Sequence, residues 1–277
     1  MMSGKLYLCG TPIGNLEDIT FRVLETLKSC DVVYAEDTRH SLRLLNHFGI
    51  SKPLHSYHDH NQEQAGNEII SKVQMGEKVA LVTDAGMPGI SDPGENLVIK
   101  CIETDTSFEI IPGVTAFSMA LVGSGFSTGQ FVFEGFLSRD KRQKRKHIER
   151  LKYERRTLLF YESPHRLKET LRLLHEGLGD RKAVVARELT KRFETFQRGT
   201  LTELMAFYES ETVKGEIVIV LEGGDIDPEP VVDFSGIPIK ERYEFLMESG
   251  LDNKEAMKRI AKERNMKKTD VYSLLLE

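Results

Sequence analysis

The sequence predicts an α/β protein with an N-terminal parallel-sheet domain (1–123), a second α/β domain (124–224) and a small helical C-terminal domain (237–277). Three observations carry this. Short apolar runs alternate with helical patterns through the first third, the mark of βαβ units and a parallel sheet. A second such half follows Gly123-Ser124-Gly125-Phe126-Ser127-Thr128-Gly129. Residues 225–236, opening Asp225-Ile226-Asp227-Pro228-Glu229-Pro230, have the composition of a linker, and short amphipathic helices follow. At 277 residues the chain exceeds a typical single domain.

In order, Lys5–Cys9 reads as a strand, and the loop Gly10-Thr11-Pro12-Ile13-Gly14-Asn15 leads to a helix from about Asp18. Asp31–Ala35 is a strand, Thr38–His47 a helix closed by Gly49, and Asn61–Met75 a helix ended at Gly76. Lys78–Thr83 is a buried strand, Glu95–Glu103 a helix, Phe108–Ile111 a strand and Val114–Val122 a helix. The second half gives strands at Phe131–Phe136, Thr157–Tyr161, Lys182–Arg187, Glu194–Gln197 and Glu216–Leu221, and antiparallel pairing is expected among them. Its helices are a basic one after Phe136, another over Pro164–His175 and a third from Thr202. The tail reads as helices over Lys240–Glu248, Asn253–Arg264 and Thr269–Leu275, with a helix–turn–helix-sized core around Asn265-Met266.

The most informative segment is Asp84-Ala85-Gly86-Met87-Pro88-Gly89-Ile90-Ser91-Asp92-Pro93-Gly94. A crossover normally takes about two to six residues. This loop is longer, and its three glycines and two prolines bring rigid backbone to the carboxyl end of a strand, where open α/β sheets bind ligands.

Composition narrows the classes. A hydrophobic content of 40% and charged content of 29% are those of a soluble protein, and no apolar run reaches the roughly 20 residues of a membrane span. Cys9, Cys30 and Cys101 are scattered, as suits buried thiols in a reducing cytoplasm. His55, His58, Asp59 and His60 lack zinc-site context, and no metal is expected. Net charge is −5, yet Ser138 to Arg156 carries ten Lys/Arg against three acidic residues. A stretch so one-sided is either a solvated helix face or a phosphate-contacting patch. P-loop, dinucleotide and nucleophile-elbow patterns are all missing.

Seven strings carry a resemblance: Thr11-Pro12-Ile13-Gly14-Asn15-Leu16-Glu17-Asp18-Ile19-Thr20, Ala35-Glu36-Asp37-Thr38-Arg39, Asp84 to Gly94, Phe133-Glu134-Gly135-Phe136, Phe160-Tyr161-Glu162-Ser163-Pro164-His165-Arg166, Arg187-Glu188-Leu189-Thr190-Lys191 and Lys214-Gly215-Glu216. Over about residues 4–224 the chain resembles the ribosomal RNA small-subunit methyltransferase I family of the tetrapyrrole-methylase superfamily. The resemblance implies a two-domain tetrapyrrole-methylase-like fold, a homodimer, S-adenosylmethionine as donor, and 2′-O-methylation of a decoding-region cytidine in 16S rRNA of the small ribosomal subunit. It places Pro12, Ala85, Gly86, Met87, Pro88, Ile90, Thr115, Ala116 and Tyr161 at the donor. Met87 and Gly89 stand where the family usually shows threonine and leucine, so contacts there would run through backbone.

Sulfonium methyl transfer needs alignment and, for a ribose hydroxyl, a proton acceptor. Glu36, Asp37, Glu162, His165 and Glu188 are the candidates, with Glu162 and His165 preferred and Asp37 next. The structural alternative pairs Glu36 or Asp37 with Arg39, Glu162 with Arg166, and Glu188 with Lys191. Arg39, Arg166 and Lys191 are the candidate phosphate-side cations. Lys141, Arg142, Lys144 and Arg145 are expected to contact RNA.

Overall fold

A computed structural model describes residues 4–224, 236–264 and 266–276. It divides into two compact units, one reaching Asp225 and the other beginning at Ile226. The linker expected over 225–236 falls almost wholly outside the described residues, as does Asn265. No described helix is long and apolar enough to cross a membrane.

The first unit holds two five-stranded sheets. Strands β1 (Lys5–Cys9), β2 (Val32–Ala35), β3 (Leu54–Ser56), β4 (Lys78–Val82) and β5 (Phe108–Ile111) pair in parallel in the order β3-β2-β4-β1-β5. Because strand side chains alternate between faces, each strand serves two cores. Leu6, Leu8, Tyr34, Val79 and Leu81 pack on α3 (Gln62–Gln74) and α4 (Glu95–Glu103). Cys9, Val33, Ala35, Ala80 and Val82 pack on α1 (Phe21–Ser29) and α2 (Thr38–His47). All three cysteines are buried and free. The helix expected from Asp18 is a 3-10 turn over Leu16–Asp18, and α1 starts after Thr20, whose side chain caps it by accepting the Val23 N–H.

The second sheet contains β6 (Phe131–Phe136), β7 (Thr157–Glu162), β8 (Lys182–Arg187), β9 (Thr195–Thr200) and β10 (Ile217–Leu221), ordered β6-β7-β10-β8-β9. Its pairing is antiparallel except for β6 with β7, which is parallel and carries a bulge between Phe133 and Gly135. One face is covered by α6 (Lys141–Arg150), α7 (Leu167–Leu178) and α8 (Leu201–Glu209). The other face meets α5 (Ala116–Ser124) through Ala120 and Leu121, together with Ile13 and Leu189. Thus α5, read from sequence as the end of the first domain, packs on the second sheet. It starts at Ala116 rather than Val114, since Thr115 is extended. Helix α7 starts at Leu167 rather than Pro164, because Ser163–Arg166 form a turn.

In the second unit α9 (Ile239–Glu248), α10 (Asn253–Glu263) and α11 (Lys268–Leu276) enclose Leu246, Ala256, Ile260 and Val271. The guanidinium of Arg242 lies 2.8 Å from Glu263 within this core.

Candidate active site

Three loops leave the carboxyl ends of β1, β4 and β5 and are tied together by backbone. Thr11 and Gly86 exchange two hydrogen bonds, N–H to O distances being 2.8 and 3.1 Å, and the Thr11 hydroxyl donates to Thr83 O at 3.1 Å. Gly86 holds φ +85°, a conformation that costs glycine little and other residues much. Gly10 and Gly113 touch directly, so a Cβ built on Gly10 would lie 2.6 Å from Gly113 Cα and 2.6 Å from Met87 Sδ. Only paired glycines allow two loops to approach so closely.

These loops face the second sheet across a cavity of about 350 Å³, within the usual size for a small-molecule site. Ile13, Ala85, Met87, Ile90, Leu189 and Val218 give it apolar wall. From β7, Tyr161 reaches over to accept the Phe117 N–H at 3.3 Å, and its ring packs edge-on against Phe133 and Phe136. Burial pushes the Tyr161 phenol up to about 12.

Of the residues expected at the donor, Ala85, Gly86, Met87, Ile90, Thr115, Ala116 and Tyr161 come together on this wall. Pro12 and Pro88 do not line it; Pro12 is buried, and its neighbour Ile13 takes the lining position.

The preferred catalytic residues are arranged differently from expectation. Glu162 lines the cavity and its carboxylate is engaged from the helical side: Thr170 Oγ donates at 2.5 Å, Ser163 N–H at 2.8 Å, Arg166 Nε lies at 3.3 Å and Lys144 Nζ at 3.8 Å. Held by these donors and cations, the carboxylate ties α6 and α7 to the end of β7. His165 is exposed and off the cavity wall, with Nε2 3.4 Å from the Ser163 hydroxyl. Asp37 caps α2 by accepting the Arg39 N–H at 2.8 Å, and the Arg39 guanidinium grips it at 3.1 and 2.7 Å. Hydrogen bonds from Arg39 hold the Asp37 carboxyl well below the usual carboxylate range.

The cations divide as well. Lys141, Arg142 and Arg145 are exposed on α6, alongside Arg139, Lys146 and Arg150. Lys144 is not; its side chain is 3% exposed and its ammonium bonds Thr170 Oγ at 2.5 Å. It lies on the inward stripe of α6 with Ile148, one turn on, which is why a run of like charges concealed it. Burial depresses the Lys144 ammonium, offset in part by Glu162. Arg166 also turns inward, donating to Leu137 O at 2.7 Å. Lys191 is held between Glu188 at 3.0 Å and Glu216 at 2.9 Å, whereas Arg39 is 86% exposed.

Sequence reasoning passed over Asp84, Asp92 and Glu216, which join Glu36 and Glu162 as carboxylates of the wall. Glu36 Oε2 is buried without a hydrogen-bond partner, and burial followed by Asp84 and Asp59 raises its carboxyl above the ordinary value. Burial, then Glu36, Asp84, Glu216 and Asp59, lifts Asp92 to about 7. The signal was present in the sequence: Asp84 and Asp92 are the two acidic residues of the glycine-rich loop.

Known proteins share both the sequence and the architecture. Residues 5–205 match the model of the tetrapyrrole (corrin/porphyrin) methylases. The "Ribosomal RNA small subunit methyltransferase I" of Halalkalibacterium halodurans is 46% identical over 98% of this chain and 94% of its own. The chain belongs to this methyltransferase family. The Thermotoga maritima relative of the same name is 47% identical over 79% of this chain, and those 220 residues are 99% of that protein. That length is close to the two-sheet unit. Among solved structures, the methyltransferase CobJ superposes with TM-score 0.62 at 17% identity, covering 82% of this chain and 97% of its own, a likeness of fold.

Proposed function

We propose that this methyltransferase carries a methyl group from S-adenosylmethionine to the ribose 2′-hydroxyl of cytidine 1402 in 16S rRNA. The observation that carries the reading is the 46% identity, over 98% of the chain, to relatives named as small-subunit rRNA methyltransferases. The enzyme acts in the cytoplasm on the small ribosomal subunit, as a homodimer.

The residues of the cavity fit such a donor. Apolar surface from Ile13, Ala85, Ile90 and Val218 suits an adenine ring, and the unpartnered Glu36 oxygen suits a ribose hydroxyl or an ammonium. When bound, the donor supplies an electrophilic methyl on sulfonium sulfur. The three tied loops fix the site's shape before binding, and alignment of this kind supplies up to roughly 7–11 kcal/mol of a barrier. Tyr161 closes the wall opposite Thr115 and Ala116.

The exposed cations of α6 supply the RNA side. That helix follows β6, whose last residue Phe136 lines the cavity, so basic surface begins beside the reacting site. Mass mapping of ribose methylation in rRNA from cells lacking this protein, with and without its return, tests the proposal. Loss and restoration at one cytidine of 16S rRNA is the expected outcome; an unchanged map overturns it. Activity on porphyrin precursors, absent on small-subunit particles, would favour a tetrapyrrole substrate instead.

A further inference from the structure

One end of the second sheet faces the cavity. Strands β6, β7 and β8 finish there and β9 and β10 begin there, since Phe136 pairs with Tyr161, both Glu162 and Arg187 with Ile217, and Arg187 with Thr195. On the β6 side of the mouth, Phe136 leads into the cations of α6. On the β8 side stands the loop from Glu188 to Glu194. Its Leu189 lines the cavity, and four residues later the Phe193 ring is 68% exposed. Three strand spacings, about 14 Å, separate β6 from β8.

The β8–β9 loop is held in a conformation that its residues would rarely adopt unaided. Glu188 and Thr190 have φ of +53° and +64°, the left-handed region that favours glycine. The surrounding fold fixes both. Glu188 N–H donates to Glu216 O at 3.0 Å, Thr190 N–H donates to Glu194 Oε2 at 2.7 Å, and Thr190 Oγ1 accepts the Asn15 N–H at 2.9 Å. Lys191 is anchored on Glu188 and Glu216, and it packs on Gly14 so closely that a Cβ there would lie 2.5 Å from Lys191 Cγ. Backbone strain that the fold over-determines in this way clusters at functional sites. What the fixed loop displays to solvent is the Phe193 ring, with the Arg192 guanidinium 5.6 Å from its centroid.

We propose that Phe193, backed by Arg192, is a stacking platform for a base that flanks the methylated nucleotide. The inference rests on the methyltransferase reading above and adds a contact of a different kind from those of α6. Single-stranded RNA is recognised by bases splayed onto aromatic rings and guanidinium planes, and such stacking tolerates any base because every base has a π-face. The cations of α6 neutralise phosphates and weaken with salt; a ring on a base face acts without charge. A strand touching both α6 and Phe193 crosses the mouth between them, which brings a ribose over the cavity.

The chain contains no tryptophan, so Phe193→Trp places a single indole on the loop. Its emission is recorded while a transcribed decoding-region fragment of 16S rRNA is added to the full-length protein. Steady-state methylation of small-subunit particles is measured for wild type, Phe193→Ala and Phe193→Trp. The indole should be quenched by RNA and unmoved by S-adenosylmethionine alone. Phe193→Ala should raise the KM for particles roughly 5- to 150-fold while kcat and donor affinity hold, and Phe193→Trp should keep the wild-type KM. The salt dependence of RNA binding should be the same in Phe193→Ala as in wild type. An unquenched indole at saturating RNA, or a Phe193→Ala KM within about twofold of wild type, overturns the proposal. A changed oligomeric mass of Phe193→Ala by light scattering also overturns it, since the ring is then a contact between copies of the chain. Should wild type fail to bind the free fragment, the particle KM decides. A wild-type protein that neither binds donor nor methylates particles overturns the methyltransferase reading instead.

Discussion

Lys144 and Glu162 face each other inside the second sheet's helical layer, Nζ to Oε2 3.8 Å, with side chains 3% and 1% exposed. This buried pair spans α6 and β7, so it fixes the basic helix beside the strand that carries Tyr161 into the cavity. Thr170 and Arg166 complete the network.

Truncating one member of a buried pair strands the other's charge, at a cost of about 3–5 kcal/mol. Lys144→Ala should fall at the low end, because Arg166 still serves Glu162. Urea denaturation measures the loss. The same variant should leave the salt dependence of RNA binding unchanged, since the ammonium never reaches solvent.

Charge reversal at Arg142, Arg145 and Lys146 should behave in the opposite way. These side chains are exposed on α6. Each phosphate contact removed should lower the slope of log affinity against log salt by about 0.7–0.9. Donor affinity and unfolding midpoint should stay put. Filter binding of rRNA across salt concentrations checks the first, and calorimetry the second.

The contact of Gly10 with Gly113 predicts the third outcome. Gly10→Ala drives a methyl group into Gly113 backbone and the Met87 sulfur, each 2.6 Å from the ideal Cβ. Overpacking of this kind costs about 1–3 kcal/mol. Because relief requires two wall-forming loops to part, donor affinity should drop along with stability. Gly49→Ala meets no neighbouring atom and serves as the control, though its positive φ will cost some stability without touching donor affinity.

Asp92 gives a stability signature independent of turnover. Its folded-state value is raised to about 7, so the folded protein binds more protons than the unfolded chain between the ordinary carboxylate range and about 7. Stability from this group is therefore complete at acid pH and declines as pH rises through about 7. Asp92→Asn mimics the neutral form at every pH. Its melting temperature relative to wild type should be higher at pH 8 than at pH 5, which thermal denaturation at the two pH values reads directly.

Much of the fold was legible because strands and loops announce themselves locally. Within Lys5–Cys9 and Lys78–Thr83 the stretches Leu6–Cys9 and Val79–Val82 are continuously apolar, as strands buried on both faces tend to be, and glycines and prolines follow them. Ala85, Gly86, Met87, Ile90, Thr115 and Ala116 line one cavity because they lie on or beside the loops after β4 and β5, whereas Pro12 and Pro88 do not reach it. The strand order, the parallel entry of β6 and the allegiance of α5 were not legible, since each depends on pairing between distant segments.

By itself the sequence determined the two kinds of sheet, the rigid loop from Asp84 to Gly94 and the basic character of α6. Those properties reside in local composition and period. Tertiary structure alone decided which charges are free. It turned Lys144 and Arg166 inward onto Glu162, and locked Asp37 to Arg39. It also left Asp92 unpaired among acidic neighbours. A carboxylate's role is set by the donors and charges around it, and only folding brings those together.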